Sequence, residues 1–112
     1  MVYATKIPDE NHVRIFRDHM MKLGVERIIL TRMKWCYSGY IEYKGFVLEA
    51  LLGLGGNGYY YLKICWKPSD LMDCDHILYN PYGFFVFSKD LKELAEKTLK
   101  KLGKLVEKNP SI

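Results

Sequence analysis

Two connections in the middle of the chain are too short to join parallel strands. Lys44-Gly45 separates two segments of strand-forming residues, and the glycine-rich segment 55–58 separates the second of them from a third. Parallel neighbours need a crossover of about a dozen or more residues, whereas antiparallel neighbours need only a tight turn. Residues 35–43, 46–54 and 59–67 are therefore predicted to form an antiparallel meander.

Helical periodicity flanks this meander. Residues 10–23 and 89–108 repeat apolar side chains every three or four positions, as one face of an amphipathic helix does. Asp9 is predicted to cap the first helix and Gly24 to end it, because a carboxylate and a glycine favour these positions. Gly103 is predicted to weaken the last helix or end it early.

The rest of the chain completes a two-layer arrangement. Residues 25–33 and 84–87 are predicted strands, and the acidic, irregular segment 68–82 is expected to hold a helical turn at 71–72 and a strand fragment at 77–79. Helical stripes and an apolar sheet face must bury each other. We therefore predict one α+β domain over residues 1–112. It is a two-layer sandwich with an antiparallel meander of about five strands and both terminal helices on one face. The other face stays open.

Aromatic and basic residues concentrate on the predicted hairpins. Exposed rings with nearby lysines can stack on bases and neutralise phosphates, or can form the centre of a protein interface. The alternative is that half of the rings belong to the core, since only alternate residues of a strand share a face. The candidate binding residues are Lys34, Trp35, Tyr37, Tyr40, Tyr43, Lys44, Tyr59, Tyr61 and Lys63.

The acidic segment offers a weaker, catalytic candidate. Asp73, Cys74, Asp75 and His76 combine carboxylates, a thiol and an imidazole, which could support acid–base or nucleophilic chemistry or hold a divalent metal. The segment lacks the glycine and terminal glutamate of a calcium loop, and a zinc site would need further ligands. Solvated acidic residues are the simpler interpretation.

Cysteine usage and the N-terminal residues bear on the compartment. The three cysteines are an odd number without a CxxC pair, so a disulfide framework is not expected, whereas a reducing compartment is. No apolar signal-like segment and no stretch of roughly 20 apolar residues is present, so we expect a cytoplasmic protein without membrane contact.

These observations favour a non-catalytic binding module over an enzyme. We expect an inhibitor or adaptor that covers a macromolecular partner with its aromatic, basic sheet face. A protein partner is favoured over nucleic acid because the net charge is only +4. The alternatives are a domain that binds single-stranded nucleic acid or RNA, and a small hydrolase or metal-dependent enzyme that uses residues 73–76. No cofactor is expected, and the oligomeric state is open, a homodimer included.

Overall fold

A computed structural model describes residues 6–67 and 73–108 of the chain. The five strands of these ranges form one sheet in sequence order, and every neighbouring pair is antiparallel. The predicted α+β class and the antiparallel meander are confirmed. In chain order the elements are α1 (Glu10–Lys22), β1 (Arg27–Arg32), β2 (Tyr37–Tyr43), β3 (Phe46–Leu54), β4 (Tyr60–Cys65), α2 (Cys74–Tyr79), β5 (Gly83–Ser88) and α3 (Leu91–Lys108).

The β2–β3 hairpin forms where the sequence predicts it. Lys44 and Gly45 both have positive φ, 50° and 84°, which is the backbone that a two-residue turn between twisted strands requires. The turn places Tyr43 opposite Phe46 and so fixes the register of the whole hairpin.

The two long helices begin at side-chain caps. Asp9 accepts a hydrogen bond from the amide of Asn11 at 2.8 Å, and the chain leaves α1 through Gly24 with φ 109°. At the start of α3, Asp90 accepts from the amide of Lys92 at 3.3 Å, and the hydroxyl of Ser88 accepts from the amide of Asp90 at 3.0 Å. The prediction that Gly103 ends α3 early is wrong, because the helix continues to Lys108.

Helices α1 and α3 pack on the same face of the sheet, which we call the helix face, as predicted. Phe16 and Met20 of α1 and Leu94 and Leu102 of α3 are fully buried in the main core. Burying an apolar side chain of this size contributes about 1.5–3 kcal/mol before the loss of chain entropy, so this layer stabilises most of the fold.

The opposite face, which we call the outer face, is not open over its whole area. Helix α2 packs on it and builds a second apolar cluster. The strand fragment predicted at residues 77–79 is therefore wrong: this segment is helical, and Cys74 and Ile77, three positions apart on one helix face, are the residues that α2 buries against the sheet. The predicted helical turn at 71–72 lies outside the described residues. The buried members of the second cluster are Cys36, Leu51, Cys65, Cys74 and Ile77.

A disulfide joins α2 to the sheet. The sulfur atoms of Cys36 and Cys74 are 2.07 Å apart, and the two residues are separated by 38 positions in the sequence. This single bond is not indicated by the sequence, because the fold brings together two cysteines whose spacing forms no recognisable pattern. Cys65 keeps its thiol. The cytoplasmic localisation stays a prediction.

No helix within residues 6–67 and 73–108 is long and apolar enough to cross a membrane.

Candidate binding surface

The nine predicted binding residues do not form one surface. Three of them are buried, namely Tyr37, Tyr43 and Lys63. Tyr37 and Tyr43 point to the helix face and join the main core, because alternate residues of β2 share a face and Ile41 lies between them on that same side. The expectation that these two rings meet a partner is wrong. The exposed residues are Lys34, Tyr40, Lys44 and Tyr59, and the half-buried ones are Trp35 and Tyr61.

Lys63 is a structural residue. Its ammonium group donates hydrogen bonds to the carbonyl oxygens of Leu78 at 2.9 Å and Asn80 at 2.8 Å, where α2 ends. These are acceptors that the helix itself leaves without donors. Burial lowers the pKa of Lys63, since the charged form loses its hydration. Lys63 is only 3% exposed, so it cannot contact a phosphate or a partner.

Cys65 belongs to the second cluster, near Lys63, and is unsuited to thiol chemistry. Its sulfur is 3.7 Å from the carbonyl oxygen of Ile77, to which it donates a weak hydrogen bond. Burial raises the pKa of Cys65 to about 11, with a smaller opposing effect from the Lys63 charge and a further increase from Glu49. The thiolate, which is the reactive form, is therefore rare at neutral pH.

The outer face of strands β4 and β5 carries a continuous row of rings, which we call the aromatic ribbon. Tyr61 lies opposite Phe87, and their ring centroids are 6.4 Å apart. The rings of Phe85 and Phe87 are stacked with centroids 5.8 Å apart, and Lys89 lies 5.1 Å from the ring of Tyr59. Phe87 is 53% exposed and Tyr59 is 40% exposed, whereas Tyr61 and Phe85 are half-buried, so the row is partly open to solvent.

Tyr59 and Tyr61 are predicted from the sequence to belong to a binding surface, whereas Phe85, Phe87 and Lys89 are not. The sequence does contain a signal for these phenylalanines. The segment 84–87 alternates, and pairing it with 59–65 puts Phe85 and Phe87 beside the two tyrosines. That pairing required knowing that β5 returns next to β4 after the acidic segment, which local sequence does not show.

Lysines line the outer edge of the aromatic ribbon. From α3, Lys97 donates to the carbonyl oxygen of Phe87 at 3.2 Å and Lys101 donates to that of Phe85 at 2.9 Å. These carbonyls point away from β4, so the lysines satisfy backbone groups that an edge strand would otherwise leave open. The ribbon is thus an apolar surface with a basic rim.

The acidic residues 73–76 do not form a catalytic arrangement. The sulfur of Cys74 is bonded to Cys36, so it cannot act as a nucleophile while the disulfide is intact. His76 and Asp73 form an exposed pair at 3.2 Å, and Asp75 is exposed without joining them. In the described part of the chain, no group of three or more His, Cys, Asp or Glu residues is placed to hold a metal ion.

A mixed-charge cleft of about 550 Å³ lies at the start of α1. The imidazole of His12 is within hydrogen-bond distance, 2.5 Å, of the Tyr60 hydroxyl. Burial, and to a lesser extent the carboxylate of Asp9, raises the pKa of Tyr60, which keeps this phenol protonated at neutral pH. The cleft is lined by both acids and bases, including Glu10 and Arg32, so neither sign of charge predominates in its lining.

Comparison with known proteins finds no family model that matches this chain, and no curated protein or solved structure that matches it.

Proposed function

We propose that this protein is a non-catalytic binding module that contacts a protein partner through the aromatic ribbon. The observation that carries the proposal is the row of Tyr59, Tyr61, Phe85 and Phe87 on one exposed sheet face. Protein interfaces are enriched in rigid aromatic side chains at their centre and carry polar groups at their rim. The ribbon has this arrangement, with Lys89 among its rings and two further lysines along its edge.

Steric occlusion is the mode of action that fits such a surface. The molecule measures 39 × 28 × 22 Å, and the ribbon belongs to the part of its outer face that α2 leaves uncovered. A domain of this size that is anchored through the ribbon prevents other molecules from reaching the region of the partner that it covers. An inhibitor or adaptor works in this way without chemistry of its own.

Single-stranded nucleic acid is the second candidate, and the basic rim is the observation that favours it. Bases stack on aromatic side chains, and the ammonium groups of Lys89, Lys97 and Lys101 lie close enough to the ribbon to neutralise phosphates. Three such contacts would reduce the logarithm of the binding constant by about two for each tenfold increase in salt.

The test is a comparison of Phe87→Ala with Val47→Ala. Val47 is an equally exposed apolar residue, 54% against 53%, on the distant corner of the outer face, so it controls for general surface hydrophobicity. Each variant is immobilised and used to capture partners from the native host at about 50 and about 200 mM salt. The captured species is then titrated in purified form.

We expect the partner to be a protein that Phe87→Ala binds roughly 30-fold more weakly than the wild type, as is typical of the loss of a central aromatic residue. Val47→Ala should bind like the wild type. Equal binding by both variants would refute the role of the ribbon. Capture of nucleic acid with steep salt dependence, reduced in Lys97→Gln, would replace the protein partner with the second candidate.

A further inference from the structure

Strand β1 forms the other edge of the sheet, and the alternation of its hydrogen bonds identifies which groups face outward. The amide of Met33 donates to the carbonyl oxygen of Cys36 at 2.8 Å, which makes these two residues a hydrogen-bonded pair in the β1–β2 register. Hydrogen-bonded pairs recur at every second residue, so Ile29 and Thr31 bond to β2. The amides and carbonyls of the alternate residues, Leu30 among them, point away from the sheet.

The two edges of the sheet differ in how their outward carbonyl oxygens are satisfied. On β5, lysines of α3 donate hydrogen bonds to the carbonyl oxygens of Phe85 and Phe87. On β1, no hydrogen bond within the described ranges reaches the outward groups of Ile28, Leu30 or Arg32. An uncovered edge of this kind is a template for another strand.

The arginines of the chain are concentrated on the side of the molecule that carries the β1 edge. The four arginines of the chain are Arg14, Arg17, Arg27 and Arg32, and all of them lie on α1 or β1. Between residues 10 and 34 there are six basic side chains and three acidic ones. Among the described residues, Arg27 pairs with Glu42 at 3.8 Å, whereas the other three arginines are exposed and form no ion pair.

The orientation of α1 places two of these arginines toward β1. His12, on one flank of the helix, contacts Tyr60 of β4. Successive helical residues are rotated by about 100°, so Arg14 and Arg17 lie on the flank opposite His12. Because β4 is on the far side of β2 and β3 from β1, that flank faces the β1 edge.

We propose that the β1 edge binds an extended, acidic segment of a partner protein, which adds a sixth strand to the sheet. The backbone of such a segment would satisfy both the donors and the acceptors of β1, as in other cases of strand addition. Its carboxylates would meet Arg14, Arg17 and Arg32, whose guanidinium groups match carboxylate geometry. Nucleic acid fits less well, because phosphates only accept hydrogen bonds and would leave the carbonyls of β1 unpaired.

The test uses ¹⁵N-labelled protein and three synthetic probes: a capped peptide of alternating Glu and Val, a matched Lys and Val peptide, and a short single-stranded DNA. Only the Glu peptide should slow hydrogen exchange at the outward amides of Ile28, Leu30 and Arg32, by roughly tenfold or more at saturation. The amides of Ile29 and Thr31 already bond to β2 and should change little. The inward amides therefore serve as an internal control.

Two variants at one position separate backbone pairing from charge. Arg32→Ala removes only the charge and should weaken the Glu peptide about threefold to fivefold. Arg32→Pro also removes the outward amide donor of residue 32 without removing a bond to β2. This variant should weaken binding of the Glu peptide at least tenfold more than Arg32→Ala does. Lys100→Gln, the same charge loss on α3, should bind like the wild type.

Three outcomes would overturn the proposal. The first is that the Glu peptide does not bind, or that it leaves the exchange rate of the outward amides unchanged at saturation. The second is protection of the same amides by the DNA and not by the peptide. The third is concentration-dependent protection of these amides without any probe, together with a dimer in sedimentation, which would assign the edge to a second copy of the chain.

Discussion

Removing the disulfide should cost about 4 kcal/mol of unfolding free energy. Cys36 and Cys74 are 38 residues apart, so the bond closes a loop of about forty residues. The chain-entropy treatment gives an entropy change of about 13 cal/mol/K for such a loop, which corresponds to about 4 kcal/mol at 25 °C. This is a large part of the 5–15 kcal/mol by which a typical domain is stable.

The assay is guanidinium unfolding of the Cys36→Ala/Cys74→Ala variant against the wild type, followed by circular dichroism. Cys65→Ala, which removes a buried thiol from the same cluster and leaves the disulfide intact, is the matched control. Adding a reductant should lower the stability of the wild type by a similar amount and leave that of the double variant unchanged.

The loss of stability should be concentrated in helix α2. Helix α2 spans six residues and is too short to be stable alone, so its amides should exchange faster in the double variant than those of α1 and α3. A loss below about 1 kcal/mol, or equal acceleration in all three helices, would refute the reasoning, because it would mean that the bond constrains neither the unfolded chain nor α2.

Three further substitutions test the packing around the sheet. Gly39→Ala should destabilise the protein by about 3 kcal/mol in a urea titration, because the new Cβ would lie 1.7 Å from the carbonyl oxygen of Ile29; a change below about 1 kcal/mol would contradict this contact. Gly103→Ala should instead stabilise it by up to about 1 kcal/mol, since nothing lies within 4 Å of that Cβ and alanine favours the helix. Lys63→Met should lose about 1–3 kcal/mol at neutral pH by leaving two carbonyls unpaired. Burial lowers the folded-state pKa of Lys63 below the unfolded value of 10.5. Between these two pKa values the unfolded chain therefore binds more protons than the folded chain. The wild type should gain stability relative to Lys63→Met as pH rises through this window. A flat pH dependence of the difference would show that the ammonium group is not penalised by burial.

The parts of the fold that depend on neighbouring residues could be predicted from the sequence. The Lys44-Gly45 turn specifies the β2–β3 hairpin locally, and the cap at Asp9 and the stop at Gly24 delimit α1. The alternation within β2 also places Tyr37 and Tyr40 on opposite faces, although both are predicted from the sequence as binding residues and only Tyr40 is exposed. These features follow from backbone geometry and from which side of a strand is apolar.

The outer face could not be predicted, because its structure depends on contacts between distant residues. Cys36 and Cys74 carry no spacing signal, and α2 is too short to show helical periodicity. Without α2, nothing indicates that Lys63 is buried, since a lysine on a strand is normally solvated. Phe87 was missed for the same kind of reason, because its tyrosine neighbour is 26 positions away in the sequence.

The lysines that cover β5 also limit how this protein can assemble. Growth of a sheet from molecule to molecule requires two open edges on every subunit, one to accept a strand and one to offer it. Here Lys97 and Lys101 hold two outward carbonyl oxygens of β5, so a strand from another molecule would have to displace them to pair with that edge. Strand pairing through β1 is therefore expected to be disfavoured from continuing through β5 into a filament.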